Sequence, residues 1–207
     1  MRILFILFFG TLGVFSCNKK DLKFTINGVV SDVTFNAVAD GVQIRLYVTP
    51  LGEAKKLAAS TSTGSDGSFE FVIDRDRIEQ VELEYRKENY FDESVIINFS
   101  DLQVNEDNDA SLSITAKSWV RFNVRNQSPS SASDEFKLFK YTGKEGCSEC
   151  CPIGYSFYYG AVDTAVICAN NANSYTSFYY WVINTQINGQ DSVYTTPFDT
   201  VEYNFVY

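Results

Sequence analysis

Apolar positions along the chain form one almost wholly apolar run and then a long series of alternations. The run is Ile3 to Val14, preceded by a single charge, Arg2, and followed after Cys17 by the polar stretch Asn18-Lys19-Lys20-Asp21. Roughly a dozen residues is too short for a stable span, since a bilayer core needs about 20, and it fits the apolar centre of a secretory signal. From Phe24 the pattern has period two. Phe24, Ile26, Gly28 and Val30 alternate with polar neighbours, and after a turn-rich stretch ending at Asp40-Gly41 so do Val42, Ile44, Leu46 and Val48. Such runs, rich in β-branched residues, predict half-buried strands. Further strands are predicted at 55–63, 69–73, 81–85, 94–98 and 110–115, with a helical turn over 74–80. Asp66-Gly67, between two alternating runs, predicts a hairpin.

The second half repeats the pattern with different residues. Asn105-Glu106-Asp107-Asn108-Asp109 predicts a polar linker or loop. It is dense in oxygen ligands, yet it lacks the spaced Asp/Asn pattern and closing Glu of a calcium loop. Strands are predicted at 119–124, 136–141, 177–186, 191–195 and 201–207, with Asn188-Gly189 at the centre of a hairpin turn. Many short strands separated by turns predict an all-β chain of two sandwich-like domains.

Composition narrows the function. Removing residues 1–16 takes away Arg2 and no acid, leaving 16 basic against 26 acidic residues, a net charge of −10 over 191 residues. Phosphate backbones are bound through clustered Lys and Arg, so no nucleic-acid partner is expected. Histidine is absent, which removes Ser-His-Asp and Cys-His catalysis and His-ligated zinc. No catalytic residue, metal or cofactor is assigned. A carboxylate-based glycan hydrolase using Asp134, Glu135 or Asp163 is the remaining enzymatic alternative, and no pair of facing acids is legible.

Four cysteines, Cys147, Cys150, Cys151 and Cys168, remain once Cys17 is set aside. A zinc site wants two C-x-x-C pairs, and a redox C-x-x-C wants a thioredoxin-like βαβ context. Neither is present, whereas an oxidising compartment favours disulfides. Of the three full pairings, one joining Cys150 to Cys151 has the poorest geometry, so one member of this adjacent pair is expected to join Cys168. The same region is rich in aromatics. Tyr155, Tyr158, Tyr159, Tyr179 and Trp181 are candidates to face a ligand, since such rings pack on the apolar side of a sugar while their polar tips stay wet. Tyr is also simply a good sheet residue.

Three resemblances add to this reading. Val14-Phe15-Ser16-Cys17 resembles the lipobox of bacterial lipoproteins, which implies cleavage after residue 16, a lipid on Cys17, and membrane attachment through it. The implied location is the outer membrane, facing the periplasm or the cell surface. Gly28-Val29-Val30-Ser31-Asp32, Gly41-Val42-Gln43-Ile44, and Thr63 with Asp66-Gly67-Ser68-Phe69-Glu70-Phe71 resemble the carboxypeptidase regulatory-like domain. That resemblance covers about residues 22–97 and implies a transthyretin-like, prealbumin-type β-sandwich, usually accessory rather than catalytic. Ala37 and Gly64 depart from its pattern. Asp163-Thr164-Ala165, Asp191-Ser192-Val193 and Asp199-Thr200-Val201 resemble Asp-Ser/Thr-aliphatic O-glycosylation sites of some Gram-negative bacteria, and are read as exposed loops. The expected organisation is a signal peptide at 1–16, a tether at 17–22, the regulatory-like sandwich at 23–116 and a Tyr/Cys-rich β domain at 117–207. The expected function is a non-enzymatic envelope module that binds glycan or an envelope protein, or serves as accessory subunit of an outer-membrane complex.

Overall fold

The computed structural model describes residues 22–207; the segment expected to be a signal peptide, Cys17 and all but the last residue of the expected tether lie outside the described residues. Nine strands build the first unit: β1 (Lys23–Asp32), β2 (Ala37–Val38), β3 (Gln43–Pro50), β4 (Lys56–Ser62), β5 (Ser68–Asp74), β6 (Ile78–Arg86), β7 (Glu93–Asn98), β8 (Asp107–Asp109) and β9 (Leu112–Ile114). One sheet runs β2-β1-β5, with β8 and β9 pairing in parallel to β1; the other runs β4-β3-β6-β7. The alternating residues Phe24, Ile26 and Val30 of β1, Ile44 and Leu46 of β3, and Val81 and Leu83 of β6 meet in one buried cluster between the sheets. Successive side chains of a strand point to opposite faces, so period two in sequence becomes one dry face in space.

Several local expectations give way to this packing. The segment predicted as a helical turn instead runs from the end of β5 into β6, whose Ile78 is buried. Asp66-Gly67 does not close a paired hairpin. β4 and β5 lie in different sheets, so the turn arches between them, with Asp66 Oδ1 accepting from the Ser68 N–H and hydroxyl. The polar stretch 105–109 is no linker, because β8 pairs with Thr25–Asn27 and the Asn105 N–H bonds to the Lys23 carbonyl.

Two motif positions have clear steric or polar reasons. A Cβ on Gly28 would strike the backbone carbonyl of Ala110 where β8 passes into β9. Thr63 is buried, its hydroxyl accepting from the Val42 N–H at 2.9 Å and donating to the Ala39 carbonyl at 2.7 Å.

The second unit contains β10 (Lys117–Arg125), β11 (Glu135–Lys140), β12 (Gly154–Tyr159), β13 (Asp163–Asn171), β14 (Ser174–Val182), β15 (Asn188–Thr195) and β16 (Thr200–Val206). Its sheets are β13-β10-β16 and β12-β11-β14-β15. The core is aromatic: Phe122 lies 5.1 Å from Phe178 and 5.9 Å from Phe205, and Phe136 lies 5.1 Å from Phe205. Edge-to-face and tilted contacts at these separations suit the ring quadrupole.

Here too the turn chemistry is overridden. Asn188 and Gly189 are strand residues opposite Trp181 and Tyr180, and the chain reverses before them, with Asn184 at φ 60°. Gly189 is needed for another reason, since a Cβ there would sit 2.7 Å from the Tyr180 hydroxyl packed across it. Residues 163–165 and 191–193 lie in strands rather than loops, and Asp199-Thr200-Val201 runs into β16. The two units share a packed junction. Phe198 lies 5.5 Å from Tyr90 and 5.9 Å from Phe35, and Ala172 is buried in the first unit's cluster.

Candidate binding face

The β12-β11-β14-β15 sheet has one face in the core. Phe136, Leu138 and Lys140 of β11 point there, with Phe178 and Val182 of β14. The other face follows from register: Lys137 stands opposite Phe157 on one side and Trp181 on the other, and Phe139 stands between Tyr155 and Tyr179. These rings touch in series. Tyr155 is 4.6 Å from Phe139, 5.8 Å from Phe157 and 5.8 Å from Trp181, and Tyr179 is 5.1 Å from Trp181. The Lys137 ammonium lies 5.5 Å from the Phe157 ring centre, 5.8 Å from that of Trp181 and 3.3 Å from the Glu135 carboxylate. At the lower end Gln190 donates to the Tyr141 hydroxyl at 2.6 Å.

The result is a flat apolar platform open to water, with Tyr155 and Tyr159 each 59% exposed and Phe157 48% exposed. The outer face of the opposite sheet is different. There Arg121 donates to Asn123, and Asn123 donates to Glu202 and Asn204, at 2.9–3.1 Å. Among the strands of the second unit, the exposed aromatics therefore lie on this one face. Contiguous exposed apolar patches of this kind mark interaction sites.

Of the aromatics singled out in the sequence, Tyr155, Tyr159, Tyr179 and Trp181 lie on the outer face. Tyr158 does not. It turns inward, 5.9 Å from Phe136, and burial pushes its phenol pKa up. Phe139, Phe157, Tyr141 and Lys137 complete the face and were not among the sequence candidates. The signal was present: the period of two that places Tyr155 and Tyr159 outside also places Phe157 between them and Tyr158 within.

The cysteines brace this platform from its edge. Cys147 is joined to Cys150, and Cys151 to Cys168 on β13, each pair with Cα atoms 5.1 Å apart. The second bridge ties the segment entering β12 to the opposite sheet. Lys140 lies beneath it, bonded to the Cys151 carbonyl, and burial lowers its pKa. The same segment is held to the start of β10 through Lys117–Glu149 at 2.8 Å and reaches the first unit through Lys144–Glu93 at 3.7 Å. Among the described residues no group of three or more His, Cys, Asp and Glu side chains gathers as a metal site.

The acids considered for catalysis each have neighbours of their own. Hydrogen bonds from Ser130, and then from Asn126 and Ser131, hold the Asp134 carboxyl well below the usual carboxylate range. Glu135 pairs with Lys137 at 3.3 Å, and Asp163 lies 3.7 Å from Arg125 in solvent. A groove of about 400 Å³ lies elsewhere, on the first unit, lined by Gln43, Arg45, Glu84, Arg86 and Glu93 among others. Its acids and bases are interleaved, and Lys55 above it bonds Glu82 and Glu84 at 2.8 and 2.7 Å.

No protein-family model matches the chain, and no curated protein matches it. Among solved structures it is similar to the TIE protein of Bacillus anthracis (11% identity over 88% of this chain and 34% of that one, TM-score 0.39). It is also similar to a minor pilin of Streptococcus agalactiae (10%, 88% and 94%, TM-score 0.38) and to the shaft pilin SpaA of Lactobacillus rhamnosus GG (9%, 89% and 97%, TM-score 0.34). The chain spans about a third of the length of the first of these. TM-scores below 0.5 leave these likenesses too weak to assign fold or role.

Proposed function

We propose that this is a non-enzymatic binding protein of the cell envelope, held to the outer membrane by a lipid on Cys17, that captures glycan chains on the aromatic outer face of β12, β11 and β14. The observation that carries the reading is the ring series Phe139, Tyr155, Phe157, Trp181 and Tyr179 on one sheet face, with Tyr155, Phe157 and Tyr179 exposed and Phe139 and Trp181 half-buried between them, backed by an aromatic core. A flat stacking surface suits the C–H faces of pyranose rings. Lys137, Gln190 and the tyrosine hydroxyls supply polar groups at its margin. The first unit, with its transthyretin-like resemblance, would serve as stalk between membrane and platform.

The test is retention of the purified full chain on a panel of immobilised polysaccharides, beside Tyr155→Ala and Trp181→Ala variants. Each ring removed takes with it about 1–2 kcal/mol of apolar contact, so binding should weaken about tenfold or more while both variants remain folded by circular dichroism. Retention that survives both substitutions would place the site elsewhere. Absence of retention on every polysaccharide would favour the accessory-subunit reading, in which the same face packs on an envelope protein.

A further inference from the structure

Strand β12 forms one edge of the aromatic sheet, and its outer side is open. The Gly160 N–H bonds to the Asp134 carbonyl on the β11 side. Backbone groups alternate along a strand, so Gly154, Ser156 and Tyr158 also turn toward β11, while Tyr155, Phe157 and Tyr159 turn their N–H and C=O groups away from it. Those groups have no hydrogen-bond partner among the described residues. Natural edges are commonly guarded by charge, by shortness or by cover. The other edges here follow that rule: β4 carries Lys56, β5 Glu70, β7 Glu93, β13 Asp163, β15 Asp191 and β16 Glu202, while β2, β8 and β9 have three residues or fewer. β12 has six residues, Gly-Tyr-Ser-Phe-Tyr-Tyr, and none is charged.

We propose that this edge pairs antiparallel with the same edge of a second copy of the chain, about a two-fold axis through Phe157. A two-fold interface must be self-complementary, and this strand meets the condition. With Phe157 opposite itself, Tyr155 faces Tyr159 of the second copy, and each opposed pair exchanges both backbone hydrogen bonds. Side-chain parity is kept, so aromatic outer faces meet outer faces and the inward Ser156 meets the inward Tyr158. No charge is brought against its own copy at the edge. Two four-stranded sheets then become one continuous sheet of eight, with the aromatic platforms side by side. The pairing rests on backbone geometry and edge sequence, and it stands or falls independently of what the platform binds.

Sedimentation of the full chain in excess detergent micelles, over about 1–100 µM, gives the direct test. The expected result is a reversible dimer whose dissociation constant rises at least a hundredfold in Phe157→Lys, which sets two ammonium groups across the axis. Phe157 is exposed but stands opposite Lys137, so this variant should lose a little stability to like-charge repulsion, and circular dichroism confirms that it is folded before sedimentation is read. In a hydrogen-bonded antiparallel pair the opposed Cα atoms lie about 5.5 Å apart, within disulfide reach. Phe157→Cys should therefore cross-link between chains on mild oxidation, while wild type and the edge variant Ile167→Cys on β13 should not. A wild-type chain that stays monomeric to 100 µM overturns the proposal. So does a dimer that persists in folded Phe157→Lys, or one whose cross-linking at position 157 is no greater than at 167. Should Phe157→Lys fail to fold, the cysteine pair decides.

Discussion

Gly28→Ala tests the packing logic of the first unit. A Cβ on the Gly28 backbone lies 2.8 Å from the Ala110 carbonyl carbon and closer still to its oxygen. A carbon–oxygen contact needs about 3.3 Å, so the strand segment must retreat by roughly an ångström. The obstacle is backbone, not a side chain that can rotate away. Retreat loosens the Ala110 N–H bond to the Asn27 carbonyl, 2.7 Å, and the parallel pairing of β8 and β9 to β1 on either side. Overpacking costs about 1–3 kcal/mol, and each backbone bond lost about 1 kcal/mol. The reduced freedom of the unfolded chain returns about 0.4–1 kcal/mol. The net loss is about 3 kcal/mol. With a urea slope of about 1–3 kcal/mol/M, the midpoint followed by far-ultraviolet circular dichroism should fall by about 1–3 M. Both tryptophans, Trp119 and Trp181, lie in the second unit, so their fluorescence shows whether that unit follows. Gly64→Ala is the control, since a Cβ there meets only side-chain atoms, the Asp66 carboxylate at 3.1 Å and the Ser68 hydroxyl at 3.9 Å. A Gly28→Ala midpoint no lower than that of Gly64→Ala would refute the reasoning.

Other consequences concern the second unit and pH. Replacing Cys151 and Cys168 by Ser should cost about 3 kcal/mol by the loop-entropy relation, because their sequence separation is 17, and replacing Cys147 and Cys150, separated by 3, about 2 kcal/mol. Equal urea midpoints for the two double variants would count against that ordering. Burial lowers the pKa of Lys140, so between that pKa and about 10.4 the unfolded chain holds the extra proton and stability should rise with pH. In Lys140→Met the rise should be absent; an unchanged slope would mean Lys140 does not cause it. Tyr85, Tyr90, Tyr158, Tyr203 and Tyr207 have phenols pushed up, chiefly by burial. Their stabilising share is complete below about pH 10, the unfolded value, and is lost above it. Melting temperature should therefore drop steeply above pH 10, and Tyr203→Phe should soften the drop.

The sequence by itself determined the strands. Phe24–Val30, Val42–Val48 and Trp119–Val124 read correctly because the alternation of side chains along a strand is local, and burying one face requires nothing more. It also determined that His-based chemistry is absent, and that the aromatics and cysteines gather in one half. Tertiary structure decided what lies beside what. Asp66-Gly67 and Asn188-Gly189 both carry hairpin chemistry, yet one arches between sheets and the other sits inside a strand, because the core claims the neighbouring residues more strongly than a turn does. Asn105–Asp109 reads as a linker by polarity and became sheet because β1 offered an unpaired side. The binding face was half legible. Tyr155 and Trp181 stand out as residues, but their contact depends on β12 and β14 both flanking β11 in one register. That register is fixed by long-range pairing across dozens of residues, which no local pattern encodes.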